Sequence, residues 1–227
     1  MDAETIALEA IKTAQGVPTT PTRRDSSSLD PETLDKWMKN AGYPRRHIKM
    51  IGNMIGPSLE EAQKRTERIL RGDCIFLLSG DRGPGKTQMA AFWGQQCLLE
   101  EKSTRYHKAH SFLCTIRDQF GNNEHRAETA REILQRAKKV HLLVIDECSE
   151  LAGTDWEKRT MTELIDERYD NELSTVIITN HAPKEAVKEV GPSIWSRAEE
   201  TGGIVVCDWE SYRNANSAGT DASEKDS

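Results

Sequence analysis

Apolar residues in this chain fall into short unbroken runs, separated by longer stretches with helical spacing. The runs are Cys74-Ile75-Phe76-Leu77-Leu78, Val140 to Ile145, Thr175-Val176-Ile177-Ile178-Thr179 and Gly203-Ile204-Val205-Val206-Cys207. An uninterrupted apolar run of this length is what a strand buried on both faces looks like. Thr104-Arg105-Tyr106-His107 reads as a further short strand. Between the runs the spacing predicts helices from Gln88 to about Glu101, from Ala109 to Phe120, from Glu124 to Lys139 and from Asp155 to Tyr169, with a short one starting near Pro183. Gly121-Asn122-Asn123 reads as a turn. Strand and helix alternate, so the expected fold is α/β, a parallel five-stranded sheet wound with helices on both faces.

The part before the first run is more polar. Residues 3–14 carry a weak amphipathic pattern through Ile6, Leu8 and Ile11, and residues 15–29 are rich in Gly, Pro, Thr and Ser, as a linker is. Asp30-Pro31-Glu32 is a helix start, with Asp as cap and Pro in the first turn, and that helix is expected to run to Asn40 and close at Gly42. Tyr43-Pro44-Arg45-Arg46-His47-Ile48-Lys49 is the densest basic cluster, either a face toward nucleotide or DNA or a solvated helix end. Ser58 to Arg71 reads as a polar helix stopped by Gly72. From Asn214 onward the residues are small and polar, as in a disordered tail.

Composition narrows the classes. The chain has 227 residues, of which 36% are hydrophobic and 30% charged, with a mean hydropathy of −0.68. No apolar run approaches the roughly 20 residues of a membrane span, and Met1-Asp2-Ala3-Glu4 lacks the regions of a signal peptide, so a cytoplasmic protein is expected. The five cysteines (Cys74, Cys97, Cys114, Cys148 and Cys207) are scattered without a C-x-x-C pair, which argues against structural zinc and disulfides alike. A net charge of −6 is not the footprint of a subunit that grips nucleic acid tightly by itself.

The chemistry concentrates after the first run. Gly80-Asp81-Arg82-Gly83-Pro84-Gly85-Lys86-Thr87 has the form G-x-x-x-x-G-K-[ST], between a strand and a helix that Gln88 continues. Glycines let backbone N–H groups close round a phosphate, and the helix N-terminus adds its dipole. Lys86 would reach the β- and γ-phosphates, and Thr87 would ligate Mg²⁺. Asp146 and Glu147 end a buried strand, and ligands bind beyond the carboxyl ends of strands in such sheets. Asp146 is the expected second Mg²⁺ residue, and Glu147 the expected base for an attacking water. Asn180 ends the next strand; if that strand lies beside the first, its amide reaches the γ-phosphate or the water, and otherwise it is a turn residue.

Together with Glu167-Arg168-Tyr169, these motifs resemble an AAA+ ATPase. More narrowly they resemble the DnaC/IstB-like branch of bacterial and phage helicase loaders and transposition helpers. Ser196-Arg197, Trp209-Glu210-Ser211-Tyr212-Arg213 and Gly42-Tyr43-Pro44-Arg45-Arg46 resemble that branch's late and early motifs. The resemblance spans about residues 42–213 and implies an ATPase domain there, preceded by a partner-binding region over 1–41 and followed by a tail over 214–227. It implies an ATP and Mg²⁺ site made of Gly80, Asp81, Arg82, Gly83, Pro84, Gly85, Lys86, Thr87 and Gln88. Asn180 matches the sensor 1 position, Arg197 the arginine finger that acts on a neighbouring subunit's ATP, and Arg213 a sensor 2 arginine. Only 14 residues follow Arg213, so a helical lid is expected to be absent or minimal. The function implied is ATP-switched loading or remodelling of a DNA-bound hexameric helicase in DNA replication. It would involve an ATP-dependent homo-oligomer, weak contact with single-stranded DNA and no membrane. A transposition helper and a phosphotransferase are the alternatives.

Overall fold

The apolar runs become the strands of one sheet: β1 Ile75–Ser79, β2 Thr104–Lys108, β3 Leu142–Asp146, β4 Ser174–Ile178 and β5 Ile204–Val206. In this computed structural model, which describes residues 30–118 and 130–211, their order is β2-β3-β4-β1-β5 and every pairing is parallel. The helix expected at 3–14, the linker at 15–29, the turn at Gly121 and the residues from Tyr212 on, Arg213 among them, lie outside the described residues.

Strand residues alternate between two cores, as a period of two requires. Phe76, Leu78, Val144, Val176 and Ile178 face one side, and Ile75, Leu77, Leu143, Ile145 and Ile177 face the other. The first side is covered by α1 Pro31–Asn40, α2 Arg45–Met50, α3 Gly56–Arg71 and α4 Lys86–Leu99. The second is covered by α5 Ala109–Asp118, α6 Ala130–Lys139, α7 Asp155–Asp170, α8 Pro183–Val190 and α9 Pro192–Glu200. Every residue of β1, β3 and β4 is buried, which is why these strands read as unbroken apolar runs.

Local signals act where the sequence placed them. The Asp30 side chain accepts from the N–H groups of Glu32 and Thr33 at the start of α1. Thr154 and Glu157 cap each other at the start of α7. One helix near Pro183 was expected and two are present. Gly191, at φ 87°, and Pro192 after it divide α8 from α9, because a residue at positive φ ends one helix and Pro suits the first position of the next. Helix α1 packs into the same core as the sheet, with Met38 fully buried and the Ala41 carbonyl accepting from the Tyr106 N–H at 2.8 Å.

Candidate nucleotide-binding site

The phosphate loop runs from the end of β1 to the first residue of α4. Its entry is pinned to the residue after the β4 turn: the Ser79 hydroxyl and the Gly80 N–H both donate to the His181 carbonyl, at 2.7 and 3.1 Å. Gly80 lies at φ 129°, where a Cβ would run into the Cys207 carbonyl, so this position admits only glycine. Gly85 is left-handed and turns the chain into α4, whose first turn has no side-chain cap. Those N–H groups are the donors a phosphate would use. The Trp209 indole donates to the Pro84 carbonyl at 2.7 Å and holds the loop from the β5 side.

Lys86 is 4% exposed, and its ammonium donates to the carbonyls of Gly80 and Asp81, both at 2.6 Å. Arg82 reaches outward to Glu150 at 2.6 Å. The Gln88 amide is held by His47, donating to its carbonyl and meeting its ring Nδ1, each at 2.9 Å. The basic cluster is thereby tied to the start of α4 through His47, while Arg45, Arg46 and Lys49 are exposed.

The second half of the site comes from β3 and its neighbours. Thr87 Oγ1 donates to Asp146 Oδ2 at 2.8 Å, so loop and strand end meet. Tyr106 on β2 donates its phenol to the same oxygen at 2.6 Å, and the Glu147 N–H occupies Oδ1 at 2.7 Å. Burial, then the charge of Asp146, push the Tyr106 phenol pKa far up, so it stays a proton donor. Glu147 sits in the left-handed region at φ 58°, unusual for a residue with a Cβ. Its carboxylate is held by the Lys108 ammonium at 2.9 Å.

Strand β4 does lie beside β3, with Ile145 opposite Ile177. Asn180 therefore stands next to the turn after Glu147, where its amide donates to the Ser149 hydroxyl at 3.4 Å. Arg197 faces elsewhere: it pairs with Asp166 of α7 at 3.1 Å and lies 5.4 Å over the Tyr169 ring. Tyr106, Lys108 and His181 entered the site unannounced, and Trp209, read from the sequence only as part of a late motif, had been given no role there. The first two carried a signal, being two residues apart at the end of a strand and so on one face.

The donor set at the meeting point suits Mg²⁺. A hydroxyl and a carboxylate supply two hard oxygens side by side, and a hard, reluctantly dehydrated cation takes one or two such groups plus phosphate oxygens and water. Among the described residues no cluster of three or more His, Cys, Asp or Glu side chains could hold a metal alone.

A family sequence model described as IstB-like ATP binding protein matches residues 67–193. The replicative helicase loader DnaC of Escherichia coli K12 is 26% identical over 177 residues, 78% of this chain and 70% of that protein. Among solved structures, a crystal structure of the DnaC helicase loader is 16% identical, with a TM-score of 0.58 over 72% of this chain and 99% of that one. Domain III of the Thermotoga maritima replication initiation protein DnaA is 21% identical, with a TM-score of 0.56 over 69% of this chain and 65% of that one. At these identities the two structures establish the fold alone. Among the described residues no helix is long and apolar enough to cross a membrane.

Proposed function

The chain belongs to the IstB-like ATP-binding protein family, the DnaC/IstB-like branch of AAA+ proteins, and from that premise we propose that it is an ATPase whose nucleotide state governs its grip on a DNA-bound helicase during replication. The observation that carries this reading is the 2.8 Å contact between Thr87 and Asp146, which brings the phosphate loop to a strand end that also bears Glu147. A relative similar over 78% of this chain is a replicative helicase loader, which favours that partner.

Lys86 would exchange its two loop carbonyls for the β- and γ-phosphate oxygens. Thr87 and Asp146 would hold Mg²⁺, which when bound neutralises charge on the phosphates. Glu147 would take the proton of the attacking water once it turns from Lys108, and Asn180 would orient that water or the γ-phosphate. Arg197 would act on the ATP of an adjoining subunit, leaving Asp166 as it does so. Arg213 retains its proposed place at the nucleotide. A cytoplasmic setting, assembly with ATP and weak single-stranded DNA binding complete the reading.

The test uses Glu147→Gln, which should still bind ATP while releasing phosphate about 10²-fold more slowly, the usual scale for a positioned base. Trapped with ATP in an extract of its host, the variant should retain a hexameric helicase. Recovery of a transposase would make the protein a transposition helper, and a phosphorylated acceptor in place of free phosphate would make it a phosphotransferase.

A further inference from the structure

Strand β2 closes one edge of the sheet, yet its last residues reach inward to the acidic end of β3. Tyr106 is 6% exposed and its ring sits among core residues, a place where phenylalanine would pack as well. A phenol buried there without a partner would cost free energy. Its partner is Asp146 Oδ2. With Thr87 on the same oxygen and the Glu147 N–H on Oδ1, the carboxylate plane cannot turn without breaking all three bonds. Thr87 and Glu147 belong to the reacting centre and have other work there. Tyr106 is the contributor that comes from outside it.

The phenol is itself held from behind. The Tyr106 N–H donates to the Ala41 carbonyl at 2.8 Å, and its ring tilts against Tyr43 with centroids 5.4 Å apart. The Tyr43 hydroxyl meets Thr104 Oγ1 at 2.6 Å, and the Arg105 guanidinium donates to the Asn40 carbonyl. A continuous set of contacts thus runs from the end of α1 through β2 to Asp146.

We infer that Tyr106 is a positioning residue for Asp146: it fixes the carboxylate that orients the divalent cation, and it ties that carboxylate to the segment Asn40–Tyr43. This rests on the reading of Asp146 as a metal residue. Partners in the outer shell of a metal site commonly change metal affinity by 10- to 100-fold when removed.

The test uses Mn²⁺ as the cation and measures, by electron paramagnetic resonance of the unbound ion, its affinity for the full-length protein with ATP. Tyr106→Phe should weaken Mn²⁺ binding by about tenfold or more and leave metal-free ATP affinity, measured in EDTA, unchanged. Tyr43→Phe, which loses a buried hydroxyl of the same neighbourhood but no contact to Asp146, should bind Mn²⁺ like wild type. Asp146→Asn separates the two levels of the argument. If Asp146→Asn weakens Mn²⁺ binding and Tyr106→Phe does not, Tyr106 is a packing residue and this inference is overturned. If neither variant weakens it, the metal reading of Asp146 is overturned first. Should Tyr106→Phe fold poorly, wild type labelled with 3-fluorotyrosine supplies the answer. Adding Mg²⁺ to its ATP complex should move a buried tyrosine ¹⁹F resonance in wild type but not in Asp146→Asn, and no movement in wild type would overturn the inference.

Discussion

Lys86 and Arg168 are both buried cations, one at each end of the sheet, and they are held in opposite ways. Lys86 lies at the carboxyl end and donates to two carbonyls of its own loop. Arg168 is fully buried on α7, at the amino ends of β3 and β4. Its Nε donates to Thr175 Oγ1 at 2.9 Å, Nη1 to the carbonyls of Ala137 and Val140 at 2.7 and 2.9 Å, and Nη2 to those of Ser174 and His141. Burial lowers its pKa, to about 9, yet it stays charged at neutral pH. An ammonium on a flexible stem, bonded to a glycine-rich loop, can trade carbonyls for phosphate oxygens. A planar guanidinium spread over α6, β3 and β4 cannot leave without stranding several acceptors. On the proposed function, one end of the sheet is therefore built for exchange and the other for permanence.

The sharpest way to break that contrast is a pair of substitutions. Arg168→Ala should cost about 3–5 kcal/mol of stability, as measured by urea unfolding, because five acceptors that its guanidinium serves lose their donor at roughly 1 kcal/mol or more each for those that stay buried. Lys86→Ala should abolish tight ATP binding by calorimetry while changing stability by less than about 1 kcal/mol. A stable Arg168→Ala, or a Lys86→Ala that binds ATP normally, would end the distinction.

Arg197 tests whether exchange extends across subunits. Under assembling conditions Arg197→Ala should lose on the order of 10³-fold in turnover. Mixing it with Lys86→Ala should restore part of the activity, because one interface can then pair an intact ATP site with an intact arginine. Wild-type turnover by Arg197→Ala alone would leave it as the Asp166 partner and nothing more.

A smaller effect is expected at Lys108, whose pair with Glu147 is about half exposed on both sides. Such pairs are worth roughly 0.2–1 kcal/mol, so freeing Glu147, the proposed base, in Lys108→Ala should raise phosphate release by no more than about fivefold. A fall would mean that the ammonium helps to aim Glu147.

A last effect, seen only in acid and only in stability, concerns a base that met burial by giving up its charge. His107 packs against Phe112, with centroids 4.7 Å apart, and burial, aided by Arg105 and Arg136, lowers its pKa from 6.5 to about 4. Between these values the unfolded chain binds more protons than the folded one. The stability His107 contributes is thus fully present above pH 6.5 and is lost as pH falls toward 4. His107→Phe should flatten the unfolding free energy across that window, and an unchanged slope would assign the acid sensitivity elsewhere.

What the sequence determined by itself was local. Continuous apolar runs specified most of β1, β3 and β4 because a strand buried on both faces admits a polar residue only where it finds a partner, as Ser79, Asp146, Ser174 and Thr175 do, and Asp30-Pro31 marked the start of α1 because capping is settled within three residues. The glycine, lysine and threonine spacing marked the phosphate loop for the same reason. Tertiary structure alone decided which strand ends met. The order β2-β3-β4-β1-β5 sets Asn180 beside the turn after Glu147 and puts Tyr106 and Lys108 against the acidic pair. Arg168, three residues from Asn171 in a charged helix, gave no sign that it would be swallowed whole, and Arg197 none that Asp166 would hold it. Those contacts join residues far apart in the chain, and they exist only because two apolar faces of one sheet must both be covered, which draws helices and strand ends together whatever polar groups they carry.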